Sequence, residues 1–384
     1  MAIVSRGHPD PEWLRARLQD WLRQQPGWDA GDVASLAEAS QANGFSNATY
    51  RIELRRRADE PANAFILRTP PIETGLFPHY DLGRQFAFMH YLQGRPGVAM
   101  AGCRWLETDA AAIGQPFFIT DFVAGSVAPD QPNYVKAGWI VDAVPAQRDA
   151  MWWRTLDQLV ALAGVPVDEP LRQACDWPLS VPGASAADAQ PRLRQHLQHW
   201  AAIADWGLAQ LPGPSDPRLA ALRQWLDEHA PADDPMGVVW GDARFGNIIF
   251  RDFQPVALLD WELAAIGDPM IDMSYFLFHV FLTELYHGDD ATPERCEGFG
   301  DDEASVAYYC ARTGRDPGLH GYYWVFNAYR IFCIWQGKAA LMHRAGAWSL
   351  EEAFLARRGD RLWPHVEAVM AGGTEAAYRR RVLA

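Results

Sequence analysis

The chain has 384 residues, 49% of them hydrophobic, and carries a formal net charge of −14 with a pI near 5.2. A chain of this length buries a large core and tends to divide into lobes, and the apolar content excludes an intrinsically disordered protein. The acidic balance argues against nucleic acid as the main partner, and no apolar run reaches the roughly 20 residues that a membrane span needs.

The first residues, MAIVSRGHPDPEWLRARL, bring acids early and no long apolar stretch, a pattern unlike a secretory leader. Residues 11–24 put Trp13, Leu14, Leu18, Trp21 and Leu22 on one helical face, with Pro11 suited to the first turn. A polar turn, QANGFSN, then leads into the alternating Tyr50, Ile52 and Leu54, which reads as a hairpin strand. A second strand is predicted over 64–68, a helix over 82–92 and a buried strand over 116–123. Beyond Gly125 the texture turns helical, over 133–164 and 191–206, with a Pro/Gly/Ala-rich loop between them. Two short strands, 237–239 and 256–259, interrupt this. The rest, 268–381, is helical with loops near 287–302 and 313–320. The expectation is an α+β fold of two lobes, a β-rich one over 1–122 and a helical one over 123–384.

The five cysteines (Cys103, Cys175, Cys296, Cys310, Cys333) are scattered, odd in number and never in a C-x-x-C pair. That spacing argues against a disulfide framework or a zinc site and points to a reducing cytoplasm. Lys136 and Lys338 are the only lysines, so arginine carries almost all of the positive charge.

The segment VVWGDARFGNIIF (238–250), followed by VALLDWELAAIGDP (256–269), is the most informative. Phosphoryl transfer needs a carboxylate to orient the attacking hydroxyl, hard oxygen ligands for Mg2+, and positive charge near the transferred group. Asp242 and Asn247 have the D-x-x-x-x-N spacing in which the Asp takes the hydroxyl proton and the Asn binds metal. Asp260 ends the next apolar strand, where a second metal-binding Asp belongs, and Arg244 is placed to offset phosphate charge. The D-x-x-x-x-N spacing alone is common by chance. Its combination with D-W-E and G-D-P in one short block is far more specific. Asp268 and Asp272 read instead as helix or turn caps, with Asp268 as the N-cap.

This block resembles the aminoglycoside phosphotransferase-like family, in the branch similar to the N-terminal domains of some acyl-CoA dehydrogenase family members, with its pattern H-G-D-x-R-x-x-N…D-W-E-x-A-x-x-G-D-P-x-x-D. Weaker echoes are GFSNATY (44–50), FILRTPP (65–71), DFVAG (121–125) and RQHLQHW (194–200), so the resemblance runs through nearly the whole chain. It implies a protein-kinase-like fold, ATP or GTP as co-substrate, and Mg2+. It further implies that Phe45, Ser46 and Asn47 cover the phosphates, that Arg68 takes the place of the third-strand lysine, and that backbone groups of Asp121 and Val123 meet the nucleobase. Phe122 would pack on the base or fill the core.

Three positions depart from the pattern. Trp240 stands where the family has His, a structural substitution that leaves the proton acceptor in place. Arg68 replaces lysine, and its planar fork suits bidentate phosphate contact. Gln85 stands where a glutamate would pair with that cation, which leaves Gln85 or Asp81 as the expected partner of Arg68. On the substrate side, Glu262 is a candidate for contact with a metal or the acceptor. The aromatic run YYWVFNAYRIFCIW (322–335) reads mainly as core. Its lack of acids suits a partly apolar hydroxylated acceptor, such as a hydroxy acid or its acyl ester, while the total acidity suits an aminoglycoside. A nucleotide-binding pseudokinase is the alternative to an active kinase. A hydrolase lacks support, since G-x-S-x-G, H-E-x-x-H and Walker A patterns are all absent.

Overall fold

The structure is a computed structural model, and it describes residues 10–38, 48–71, 75–174, 192–211, 213, 215–233, 235–287 and 295–372. Chain order begins with α1 (Pro11–Leu22), β1 (Asp32–Glu38), β2 (Ala48–Arg55), β3 (Asn63–Thr69), α2 (Leu82–Leu92), β4 (Cys103–Glu107) and β5 (Phe117–Asp121). The five strands form one antiparallel sheet in the order β1-β2-β3-β5-β4. Strand β1 and strand β4 went unread in the sequence. Polar and exposed positions break up their apolar pattern, as expected at sheet edges.

Asp10 caps α1 by accepting from the Glu12 amide at 3.0 Å, and Pro11 fills the first turn. Leu14, Leu18, Trp21 and Leu22 are buried and pack with Ile52, Leu54, Leu67 and Phe117 of the sheet. Trp13 was expected on that face but is 44% exposed, because the buried stripe runs through 14, 18, 21 and 22 and leaves position 13 to one side.

After the sheet come α3 (Trp139–Asp142), α4 (Pro145–Ala163), α5 (Glu169–Ala174), α6 (Arg192–Ala209) and α7 (Pro217–Glu228). The predicted helix over 133–164 thus starts late. Pro129, Pro132 and Gly138 hold the preceding stretch in turns, and Pro145 opens α4. Then follow β6 (Gly237–Val239), β7 (Ile248–Arg251), β8 (Gln254–Leu258) and β9 (Ala265–Gly267), which make two small antiparallel ribbons, β6 with β9 and β7 with β8. The chain closes with α8 (Met270–His287), α9 (Asp302–Thr313), α10 (His320–Arg344), α11 (Leu350–Arg358) and α12 (Trp363–Met370). The breaks before α9 and α10 fall where the sequence puts its loops.

Among the described residues two main apolar cores result, with a small third cluster of Leu211, Ala339, Ala340 and Ala353. One joins α1 to the sheet. The larger one gathers the helices around α8 and α10 and takes in Leu82, Phe88 and Leu92 of α2. The fold is α+β and two-lobed, as expected. Most of the aromatic run 322–335 is buried core. Among the described residues no helix is long and apolar enough to cross a membrane. The four described cysteines are free thiols.

Trp152 of α4 anchors the larger core beneath the functional loop. It is 0% exposed, its ring centroid lies 6.1 Å from that of Phe245 and 4.9 Å from that of Phe276, and its indole N–H donates to Ser305 Oγ at 2.9 Å. Trp152→Ala is expected to lower the unfolding free energy by roughly 3–5 kcal/mol. Urea denaturation measures this, and a loss within about 0.5 kcal/mol, as for a surface change, would contradict the assignment.

Candidate active site

The informative block folds as a loop between the two ribbons. Strand β6 ends at Val239, and after Trp240 comes Gly241 with φ +90°, where a Cβ would collide with the Leu263 carbonyl oxygen, so only glycine fits. Asp242 and Arg244 come next, and a short 3-10 turn over Phe245–Asn247 delivers the chain into β7. The Asn247 side-chain amide donates to the Asp242 carbonyl at 3.1 Å and to the Asp242 carboxylate at 2.6 Å. With the amide nitrogen so engaged, the Asn247 Oδ1 is the atom left for a ligand. The Leu259 amide donates to the Asn247 carbonyl at 2.8 Å, which holds the end of β8, and hence Asp260, against the same loop. Asp260 itself is left-handed, with φ +62°.

The sheet lobe reaches this cluster through Arg68, whose guanidinium forms an ion pair with the Asp260 carboxylate. This corrects the expected partners of Arg68. Asp81 instead caps α2 by accepting from the Arg84 amide at 2.9 Å, and Gln85 is buried with no hydrogen bond to its Oε1. A neutral amide lacks the attraction of a carboxylate, so the cation turns to the nearest acid. Asp260 and Glu262 hold the Arg68 charge on, opposing its burial.

Arg244 lies between two carboxylates, 3.4 Å from Asp242 and 3.1 Å from Asp130. Asp130 was missed in the sequence, since it comes from the turns before α3, far along the chain. Asp272, read in the sequence as a cap, has a more specific place. Buried at 2% exposure, it accepts from the amides of Trp240 at 2.6 Å and Gly241 at 2.8 Å. Burial raises its pKa to about 6 against the opposing pull of those two amides. Asp268 accepts from the Met270 amide at 2.9 Å, as a cap should, and also from the Tyr323 hydroxyl at 3.0 Å. Trp240 is buried, and its indole N–H donates to the Leu259 carbonyl at 2.7 Å, so the residue in the histidine position ties the two ribbons together.

The segment joining the lobes is pinned to the same hairpin. Ser126 and Phe250 exchange two backbone hydrogen bonds of 2.8 Å, and Arg251 donates to the Ala124 carbonyl at 2.9 Å. The amides of Asp121 and Phe122 are engaged by the carbonyls of Gly102 and Ala64, while among the described residues no hydrogen bond takes up the Val123 amide. The Asp121 carboxylate is held by Arg104 at 2.6 and 2.8 Å. Phe122 is no core filler. It is 41% exposed, with the Arg51 guanidinium 5.0 Å from its ring centroid. Phe45, Ser46 and Asn47 lie outside the described residues.

A cavity of about 560 Å3 opens beside the loop. Its wall mixes polar residues, Asp130, Asp242, Arg244, Glu262 and Lys338, with apolar ones such as Ile334, Trp335 and Met342. Burial lowers the Lys338 pKa, and Asp130 opposes the shift. Asn247 and Asp260 offer an amide oxygen and a carboxylate, hard donors of the kind Mg2+ takes alongside phosphate oxygens and water. The donor set therefore fits that metal.

The raised Asp272 pKa has a sign. A carboxyl that holds its proton more tightly folded than unfolded favours the native state below the ordinary aspartate pKa near 3.8, and that contribution is lost as pH rises through about 6. The stability of wild type relative to Asp272→Asn should therefore fall between pH 4 and pH 6. Denaturant unfolding across that range checks it, and a flat or rising difference would contradict the burial argument.

A model of the phosphotransferase enzyme family matches residues 38–306. Acyl-CoA dehydrogenase family member 10 of Mus musculus is 26% identical over 304 residues, covering 77% of this chain and 25% of that protein. The curated relatives are longer proteins, of which the chain spans between 25% and 42%. Among solved structures, a proposed aminoglycoside phosphotransferase from Ralstonia eutropha JMP134 is 24% identical with a TM-score of 0.61, covering 97% of this chain and 98% of that one. The aminoglycoside phosphotransferase APH(4)-Ia in complex with ADP and hygromycin B gives 13% identity and a TM-score of 0.52, covering 93% of this chain and 98% of that one. The two-lobed arrangement is thus the kinase-like fold of these enzymes, and the chain belongs to the phosphotransferase enzyme family.

Proposed function

We propose that the protein is a Mg2+-dependent phosphotransferase that moves the γ-phosphate of ATP or GTP to a hydroxyl of a small molecule. The observation that carries this reading is the linkage of two pairs, Asn247 with Asp242 and Arg68 with Asp260, through the Leu259–Asn247 backbone bond, with Asp242 on the wall of the cavity. Family membership supports it, and the ADP complex of APH(4)-Ia favours an adenine nucleotide.

In this mechanism the acceptor hydroxyl approaches through the cavity and donates a hydrogen bond to the Asp242 carboxylate. Asp242 takes the proton as the acceptor oxygen bonds to the γ-phosphorus, and the bond to the β–γ bridging oxygen breaks to release the nucleoside diphosphate. Asn247 and Asp260 would hold Mg2+, which supplies charge neutralisation to the phosphates when bound. Arg68 leaves Asp260 for the phosphates, where its fork makes paired contacts. Arg244, fixed by Asp130, offsets charge near the transferred group. Asp121 and Val123 meet the base through the backbone, with Phe122 beside it, and Phe45, Ser46 and Asn47 cover the phosphates.

A wall that mixes polar and apolar side chains suits an acceptor with a hydroxyl and an apolar body, as in a hydroxy acid or hydroxyacyl ester, better than a polycation such as an aminoglycoside. Glu262 is a candidate contact to it. Cytoplasmic residence and independence from nucleic acid and membrane complete the reading.

A pseudokinase is the second reading, favoured by the Arg68–Asp260 pair and by Gln85. Thermal unfolding with ATP or GTP, each with and without Mg2+, separates nucleotide binding from its absence. A Mg2+-dependent rise in midpoint, lost in Asp260→Ala, is expected. No shift at millimolar nucleotide would count against both readings. Asp242→Asn should lower phosphate transfer by at least about 100-fold while nucleotide binding survives. Binding without any transfer by wild type, across a panel of hydroxylated acceptors, would leave the pseudokinase.

A further inference from the structure

Arg330 sits near the middle of α10 and is 2% exposed, yet among the described residues it has no carboxylate within ion-pair distance. Burial of such a cation is costly, the charges of Asp272 and Asp242 beyond contact offset it only in part, and an aliphatic side chain would fill the space without that penalty. Its surroundings give a reason for the charge. One guanidinium nitrogen donates to Asn327 Oδ1 at 2.8 Å, and Asn327 in turn donates to the Ile271 carbonyl at 3.0 Å. A second nitrogen donates to the carbonyl of Gly241, the residue before Asp242. The guanidinium also lies over two aromatic rings, 4.9 Å from the centroids of Trp200 and of Tyr275. Tyr275 lines the cavity beside Asp242, and burial, with the Asp242 charge second, pushes its phenol pKa well up.

Two routes therefore lead from Arg330 to Asp242. One runs through the backbone. The Gly241 carbonyl is held by Arg330 and the Gly241 amide by Asp272, so side chains from α10 and α8 fix both polar groups of that residue. The other runs through the Tyr275 ring, which faces the guanidinium and shares the cavity wall with Asp242. A lysine in this position keeps the charge, but its compact ammonium lacks the flat fork that spans Asn327 and Gly241 while facing two rings.

We propose that Arg330 is a positioning residue: from beneath the loop it fixes the Gly241 peptide and the Tyr275 ring, and so sets the direction in which Asp242 faces the cavity. The consequence for phosphoryl transfer rests on Asp242 being the proton acceptor; the structural part does not.

The test uses the full chain as wild type, Arg330→Met, Arg330→Lys and Asp242→Asn. Backbone hydrogen exchange read by mass spectrometry reports on the loop without any need for activity. In Arg330→Met, peptides covering 240–247 should exchange roughly ten-fold faster or more, with peptides from α4 and α12 unchanged and Arg330→Lys between the two. Equal loop exchange in wild type and Arg330→Met, or an increase spread over the whole helical lobe, overturns the proposal. Turnover of MgATP with water as the acceptor gives the second readout. Arg330→Met should lower kcat roughly 10- to 100-fold at an unchanged KM for ATP, with partial recovery in Arg330→Lys. A raised KM with kcat intact overturns the positioning role. A wild type that turns over no nucleotide overturns the phosphoryl-transfer consequence, and loop exchange then decides whether Arg330 holds Gly241.

Discussion

The arrangement depends on one peptide segment, Trp240–Gly241, held from below by charged groups buried in the helical lobe. Asp272 takes two successive amides and Arg330 takes the Gly241 carbonyl. A loop is ordinarily the part of a fold with the most freedom. Here its backbone polar groups are satisfied by side chains of two long helices, and buried polar groups so satisfied rigidify their neighbours. The left-handed Gly241 makes the approach possible, because any side chain would meet Leu263. Asp242 and Asn247 inherit their positions from this clamp, and the Leu259–Asn247 hydrogen bond passes the alignment on to Asp260.

The Arg68–Asp260 pair links the lobes across the site. Both side chains are less than a fifth exposed, so the attraction between them is weakly screened compared with a surface pair. On the proposed function, nucleotide and metal would offer each partner a replacement, phosphate for Arg68 and Mg2+ for Asp260, which keeps either charge from being left buried alone.

The elements legible in the sequence were those with a strong local signal. The alternation in β2, the apolar runs of β3 and β5, the stripe of α1 and the breaks around α9 each carry their own periodicity. The D-x-x-x-x-N spacing and the following D-W-E were readable because kinase-like chemistry packs its acids into one short stretch. Tertiary relations were not. Asp130 joins Arg244 across 114 positions, and Arg330 meets Gly241 across 89, so neither pairing leaves a local pattern. The sequence singled out Arg68 as a candidate cation of the site. Its partner depended on which acid lay within reach once a glutamine stood where a glutamate was expected, and only packing decides that.

The backbone bridge between Ser126 and Phe250 has a mechanical consequence. It ties the inter-lobe strap to the hairpin that carries Asn247, three residues beyond Val123. Any hinge-like motion of the sheet lobe must pivot at this weld. With such a motion the Val123 end of the cleft would keep a nearly constant spacing to the Asn247 loop, and the gap between Arg68 and Asp260 would change most, like the far end of a clasp. The cleft would measure a nucleotide from its base end and sense the phosphates by how far the clasp has opened.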